Sequence, residues 1–267
     1  MQRSPRRSIG LQVPVFLCIV GLGSAGCGDD ITGSNQVEVD EPFELGAALT
    51  TQSAFRLEGV NGTISLLGVS GSDSIVITGT RTVGGTSASD AEAHLDDLDV
   101  ELEASANEIV VRTIQPQSAG GRLYRVDYEV RVPADLTVGI LNANGAIDVK
   151  SLKNALSIEN ANGDIQLTDL VAAVFVALGN GEVAGEVSLP AAGTCDIAVG
   201  NGAIDLALPA TTSADFSAAV GNGQITLINL PLQNQVTTPT TVAGRLGGGD
   251  GEISLAVGNG TITVMGI

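Results

Sequence analysis

A thiol nucleophile needs a base beside it, and the sequence offers one pair of types for that chemistry: Cys195 and His94, its sole histidine. Cys195 alternates with Ile197 and Val199, the pattern of a half-buried strand, so it reads as a structural thiol. The row Asp96, Asp97, Asp99 and Glu101 supplies hard oxygen donors that suit loose binding of a divalent cation. Its plainer reading is a solvated acidic face. Gly247-Gly248-Gly249-Asp250-Gly251 has the composition of one calcium-binding nonapeptide unit, but it occurs once, and such sites are built from successive units. A plain turn is the better reading, and the run lacks the Lys and Ser/Thr of a nucleotide-binding loop. Sites that cleave polysaccharides need clustered charge and aromatic sugar platforms. Here Trp is absent and the only tyrosines are Tyr124 and Tyr128. The sequence therefore assigns no catalytic, cofactor-binding or metal-binding residue, and it reads as non-enzymatic.

What the chain has in abundance is a structural phrase. Asn-Gly recurs at Asn144-Gly145, Asn162-Gly163, Asn180-Gly181, Asn201-Gly202, Asn222-Gly223 and Asn259-Gly260, the first five spaced 18, 18, 21 and 21 residues apart. Asn tolerates positive φ and Gly adopts it without steric cost, so each pair marks a tight turn. Alternating apolar residues follow, as in Ile147/Val149, Ile165/Leu167, Ile204/Leu206, Ile225/Leu227 and Ile262/Val264. Similar runs precede most pairs. Alternation at period two is the mark of a strand with one face buried. One period is thus strand, Asn-Gly turn, strand, second turn. Such a period predicts an all-β fold: a single-stranded β-helix or solenoid with coils of 18 to 21 residues, an N-terminal β segment and one short helix. An antiparallel meander with Asn-Gly hairpins is the competing arrangement. Aromatics make up only 3% of the chain, which suits the narrow interior of a solenoid. Stacked coils would place Asn over Asn, each amide free to bond the backbone of the next coil.

Residues 1–26 read as a signal peptide, with Arg3, Arg6 and Arg7 ahead of an apolar stretch from Ile9 to Leu22. Ser24-Ala25-Gly26-Cys27 resembles the lipobox of bacterial lipoproteins, which implies lipidation of Cys27 as the new N-terminus and a membrane anchor. Gly28 is not the acidic residue associated with inner-membrane retention, which favours an outer-membrane lipoprotein, periplasmic or surface-exposed. If Cys27 is instead free, a Cys27–Cys195 bridge becomes available. Residues 27–53 are acidic, rich in small residues and aperiodic, and read as a flexible tether.

Residues 54–133 form an N-terminal β or cap segment. Phe55, Leu57 and Val60 lead into Asn61-Gly62, then Ile64 and Leu66, an early copy of the phrase. Strands are predicted from Ser74 to Val83, across a pair joined at Ala106-Asn107, and from Leu123 to Val132. Ser89 is the expected cap of a short helix whose inward residues are Leu95 and Leu98. Residues 134–267 carry the Asn-Gly repeats. Between Leu230 and Asp250 an insertion with Pro231, Pro239 and three glycines reads as a long loop.

The order of an early NGTISL, a strand, a short Asp/Glu/Ala helix, YRVDYEVRVP and then NG-x-I-x-V repeats resembles the bacterial putative adhesin domain of unknown function, related to head GIN domains of envelope proteins. The likeness spans residues 54–267. It implies a β-solenoid on an anchored envelope protein and no established chemistry.

The full chain carries a net charge of −18, and without its first three arginines nine basic residues face thirty acidic ones, or −21. Nucleic acid would be repelled. The expected function is adhesion or protein interaction through a rigid surface, with an unidentified protein or glycan partner. The alternatives are a sensory or assembly subunit of an envelope complex and, less favoured, a polysaccharide-acting enzyme. The strand Thr261-Ile262-Thr263-Val264 comes last in the sequence, so it is expected to form an exposed end rung open to self-association.

Overall fold

Every second residue of the repeat is apolar, and a chain so patterned must lay those side chains against one another to escape water. The computed structural model describes residues 36–267 and shows how. The strands are β1 (Val37–Ala48), β2 (Ala54–Glu58), β3 (Ile64–Val69), β4 (Ser74–Gly85), β5 (Asp99–Ala104), β6 (Glu108–Ile114), β7 (Leu123–Pro133), β8 (Thr137–Asn144), β9 (Ile147–Lys150), β10 (Leu156–Asn162), β11 (Ile165–Val171), β12 (Val174–Ser188), β13 (Thr194–Leu208), β14 (Ala214–Ile228), β15 (Gln233–Thr237), β16 (Thr241–Leu246) and β17 (Gly251–Gly266). Helix α1 (Ala88–Glu92) and a 3-10 turn at Leu95–Asp97 separate β4 from β5. The described chain is all-β, its 17 strands joined in one wrapped, nearly closed sheet.

Neighbouring repeats run parallel and in register. On one face β2, β8, β10 and the first halves of β12, β13, β17 and β14 lie side by side. On the other, β3, β9, β11 and the second halves of the same long strands do so. Each repeat is thus one layer, crossing from the first face to the second at its Asn-Gly pair. Those pairs are corners, inside one continuous strand in β12, β13, β14 and β17 and between successive strands in the earlier layers, not hairpin reversals. Parallel pairing excludes the antiparallel meander for this part of the chain.

Layer order departs from chain order at one place. β17 sits between β13 and β14, pairing Asn201 with Asn259 on one side and Asn222 with Asn259 on the other. The expected exposed end rung at Thr261–Val264 is therefore corrected: that strand has a partner along both edges. The last layer is β14. Its first half is covered by β16, antiparallel, with β15 beyond. The Leu230–Asp250 insertion is accordingly an ordered β hairpin, not a loop.

At the opposite end the layers give way to mixed pairing. β6 joins β2 parallel and β5 joins β6 antiparallel, as expected across Ala106-Asn107. β7 joins β3 parallel, β4 joins β7 antiparallel, and β1 joins β4 antiparallel along its whole length. The flexible tether expected over residues 27–53 is thereby corrected in its described part. Val39, Phe43, Leu45 and Ala47 pack on the core, and Glu41 pairs with Arg81. The helix cap is Ser87, whose hydroxyl accepts from the Asp90 N–H, rather than Ser89. Leu98 is buried and Leu95 half-buried, both facing inward.

The interior is built from rows of like residues. Leu57, Ile140, Ile158, Val176, Ile197, Leu255 and Ala218 form one row. Ile64, Ile147, Ile165, Val183, Ile204, Ile262 and Ile225 form another. All but Ile225 are buried. Each buried aliphatic side chain stabilises the fold by about 1.5–3 kcal/mol relative to exposure, so a chain poor in rings still closes a dry core.

Candidate functional site

The residues that recur most strictly are the corner asparagines, and the structure stacks them. Asn144 Nδ2 donates to Asn61 Oδ1 at 2.9 Å, Asn162 to Asn144 at 2.9 Å, Asn180 to Asn162 at 2.8 Å and Asn201 to Asn180 at 3.0 Å. Asn259 then donates to Asn201 at 2.8 Å and Asn222 to Asn259 at 2.8 Å. The ladder runs side chain to side chain, not to the backbone of the next layer as the repeats alone suggest. An amide fits because it carries a donor and an acceptor on opposite arms and can repeat the same bond indefinitely.

The glycine after each asparagine is equally constrained. Gly145, Gly163, Gly181, Gly202, Gly223 and Gly260 have φ between +124° and +147°. A Cβ at Gly202 would overlap the carbonyl oxygen of Gly181 in the layer beneath. The assigned Asn and Gly residues thus form one continuous edge of the molecule.

Beside that edge, on the first face, lies an apolar groove of about 990 Å³. Its floor is two outward rows: Leu141, Glu159, Ala177, Ala198, Ala256 and Ala219, and next to the corner Ala143, Ala161, Gly179, Gly200, Gly258 and Gly221. Small residues are required in the second row because the backbones approach closely. A Cβ on Gly200 would lie 2.6 Å from the carbonyl oxygen of Gly179. Glu159 is the one charged side chain lining the groove. Seven layers spaced about 4.8 Å apart make it roughly 29 Å long. Beneath it Asn142 and Asn160 are buried where later layers place Leu178 and Val199. Asn160 Nδ2 donates to the Gly145 and Asn162 carbonyls, while its Oδ1 has no partner.

Past the corner, the second face carries carboxylates. Asp148 pairs with Lys150 at 2.7 Å, and the Glu182 N–H donates to Asp164 Oδ1 at 2.9 Å. Burial, and then the charges of Asp205 and Asp164, push the Glu182 carboxyl above the usual glutamate range.

The residues singled out for chemistry are not brought together. Cys195 is fully buried in β13, and burial pushes its thiol up to about 12. His94 lies near the helix, 3.8 Å from Asp97. Tyr124 and Tyr128 are buried and offer no sugar platform, Tyr128 being held edge-on by Phe43 at 5.8 Å and bonded to Thr113 at 2.7 Å. Of the acidic row, Asp99 faces Arg81 at 3.5 Å. Among the described residues, no three His, Cys, Asp or Glu side chains converge to hold a metal ion. Asp250 accepts from Ser213 at 2.7 Å, so the glycine-rich run is a bonded turn. Arg122 pairs with Asp90, and Arg125 with Glu38 and Asp127. The signal segment and Cys27 lie outside the described residues.

Comparison with known protein families finds no match, and neither does comparison with curated proteins. Among solved structures the chain is similar to a putative cell adhesion protein from Clostridium sporogenes: 13% identity, TM-score 0.48, covering 85% of this chain and 100% of that one. It is also similar to a putative adhesin from Bacteroides fragilis, at 12% identity and TM-score 0.35, covering 85% and 97%. A third is a putative adhesin from Parabacteroides distasonis, at 7% identity and TM-score 0.25. No helix of the described residues is long and apolar enough to cross a membrane.

Proposed function

We propose that this chain is a non-enzymatic module of the bacterial cell envelope, a β-solenoid that presents a rigid surface for adhesion. The observation that carries the reading is the apolar groove of Ala and Gly along the asparagine edge. Parallel in-register layers hold it rigid, so a partner of extended shape would dock without ordering the scaffold, which keeps the entropic cost of binding low. Lipidation at Cys27 would anchor it, with the outer membrane favoured by Gly28.

Adherence of beads coated with the protein to cell and matrix surfaces tests the reading, against the variant Ala198→Asp, which places a charge on the groove floor. Loss of adherence with unchanged thermal stability is expected. Equal adherence of both would sink it. Mass spectrometry of the mature N-terminus decides the anchor: a diacylglyceryl mass on Cys27 is expected, and an unmodified N-terminus elsewhere would overturn it. The second reading, a sensory or assembly subunit, is favoured instead if a membrane protein co-purifies at fixed stoichiometry. Turnover of acidic polysaccharides would replace both readings with an enzyme.

A further inference from the structure

The stack of layers is covered unequally at the β14 end. Residues Ala214–Ala219, on the first face, pair with β16. Residues 223–228, on the second, pair with β17 on one side and with no strand of the described residues on the other. On the second face no further strand of the described residues continues the buried rows, and Leu230 and Leu232 of the insertion pack against the core only in part. Ile225 and Leu227, whose counterparts Ile204 and Leu206 are buried, are only partly buried.

The direction of the free backbone groups follows from the inner layers. There the inward residue donates to the following layer: Ile64 N–H to the Ala146 carbonyl, Ile147 N–H to the Asp164 carbonyl. By the same parity the N–H and C=O groups of Ile225 and Leu227 point away from β17, into the open side. A hollow of about 510 Å³ lies beside Leu227, lined also by Asn229, Leu230, Pro231 and Gln235. Ile228 and Val236 add apolar surface nearby, 41% and 64% exposed.

Charge identifies the occupant. The chain has a net charge of −18, yet from Phe216 to Gly244 it contains no Asp, Glu, Lys, Arg or His. That span is the whole last layer after Asp215 together with most of its capping hairpin. A second copy of this acidic chain would meet like charge over most of the surface, and at this end it would not. Unpaired strand edges of this kind add a strand readily, and natural folds guard them with charge, which is missing here. Dimers most often use a two-fold axis, which brings identical segments together antiparallel.

We propose that residues 223–228 form a dimer interface, in which the edge of β14 pairs antiparallel with the same edge of a second copy. Ile225 and Leu227 of the two copies then cover each other. This inference stands independently of the adhesive reading of the groove.

Sedimentation velocity over a concentration series of the purified protein tests it. The expected result is a reversible shift from the mass of one chain to twice that mass. Leu227→Asp is expected to abolish the dimer. So is Ile228→Glu, which lies outward and leaves the interior untouched, while circular dichroism remains that of the parent. Ala198→Asp, on the first face and two layers from β14, is expected to leave the dimer intact. A parent protein that stays monomeric at the highest concentration, or a dimer that survives Leu227→Asp and Ile228→Glu, overturns the proposal.

Discussion

Asn259 Nδ2 lies 2.8 Å from Asn201 Oδ1 although 58 residues separate them, while Asn222, nearer in sequence to Asn201, bonds Asn259 instead. The bond records a swap in layer order. It also makes Asn201 an interior member of the ladder and Asn222 its end.

Their difference in position sets a first expectation. Asn201→Ala removes a donated and an accepted bond and should destabilise by about 2 kcal/mol, since a net hydrogen bond is worth roughly 1 kcal/mol. Asn222→Ala removes one and should cost about half as much. Urea unfolding of both variants checks the ratio, and equal losses would mean that the ladder contributes little beyond turn preference.

Gly202→Ala should be more damaging than either. At φ +140° an L side chain is strained, and its Cβ would overlap the Gly181 carbonyl. A loss of about 3 kcal/mol is expected, read as a lower melting temperature or as insoluble expression. Normal stability would show that neighbouring layers can shift apart.

Within the isoleucine row, burial predicts another contrast. Ile204→Ala opens a cavity between full layers and should cost about 2–5 kcal/mol. Ile225→Ala, at the only partly buried end, should cost distinctly less under conditions where the chain is monomeric.

Glu182 supplies a pH dependence. Its folded pKa is raised above the ordinary value of 4.5. A raised pKa means the folded state holds the proton more tightly, so this contribution is fully present below pH 4.5 and is lost as pH rises through the folded value. Glu182→Gln should therefore raise the melting temperature at pH 7 and have little effect below the ordinary glutamate pKa. A variant whose gain is independent of pH would refute this assignment of the shift.

Cys195 is expected to resist thiol reagents at pH 8 in the native protein, because burial pushes its pKa up to about 12 and no solvent reaches it. Labelling should appear only in denaturant. Fast native labelling would show that β13 opens locally.

Much of this architecture was written in the repeats. Alternation of Ile, Val and Leu specifies inward and outward residues wherever a strand is half buried, and the Gly after each Asn demands a corner. Those facts pointed to layers and an asparagine row, and the parallel register then excluded the antiparallel meander they had left open. The early strand pairs and the burial of Cys195 were legible for the same reason. The groove was less so. Its Ala and Gly look inert one repeat at a time and become a surface only when the layers bring them side by side.

Two features belonged to the tertiary structure alone. Strand β1 hides its alternation of Val39, Phe43, Leu45 and Ala47 among Glu38, Asp40, Glu41 and Glu44, and becomes a strand because β4 offers it a paired edge. The position of β17 is the other. Repeats that share Asn-Gly and the same inward aliphatics dock on one another almost interchangeably, so local pattern dictates that a layer forms but not which neighbours it takes. Long-range closure chose them, and in doing so left β14, uncharged after Asp215, rather than the last strand in the sequence, at the open end.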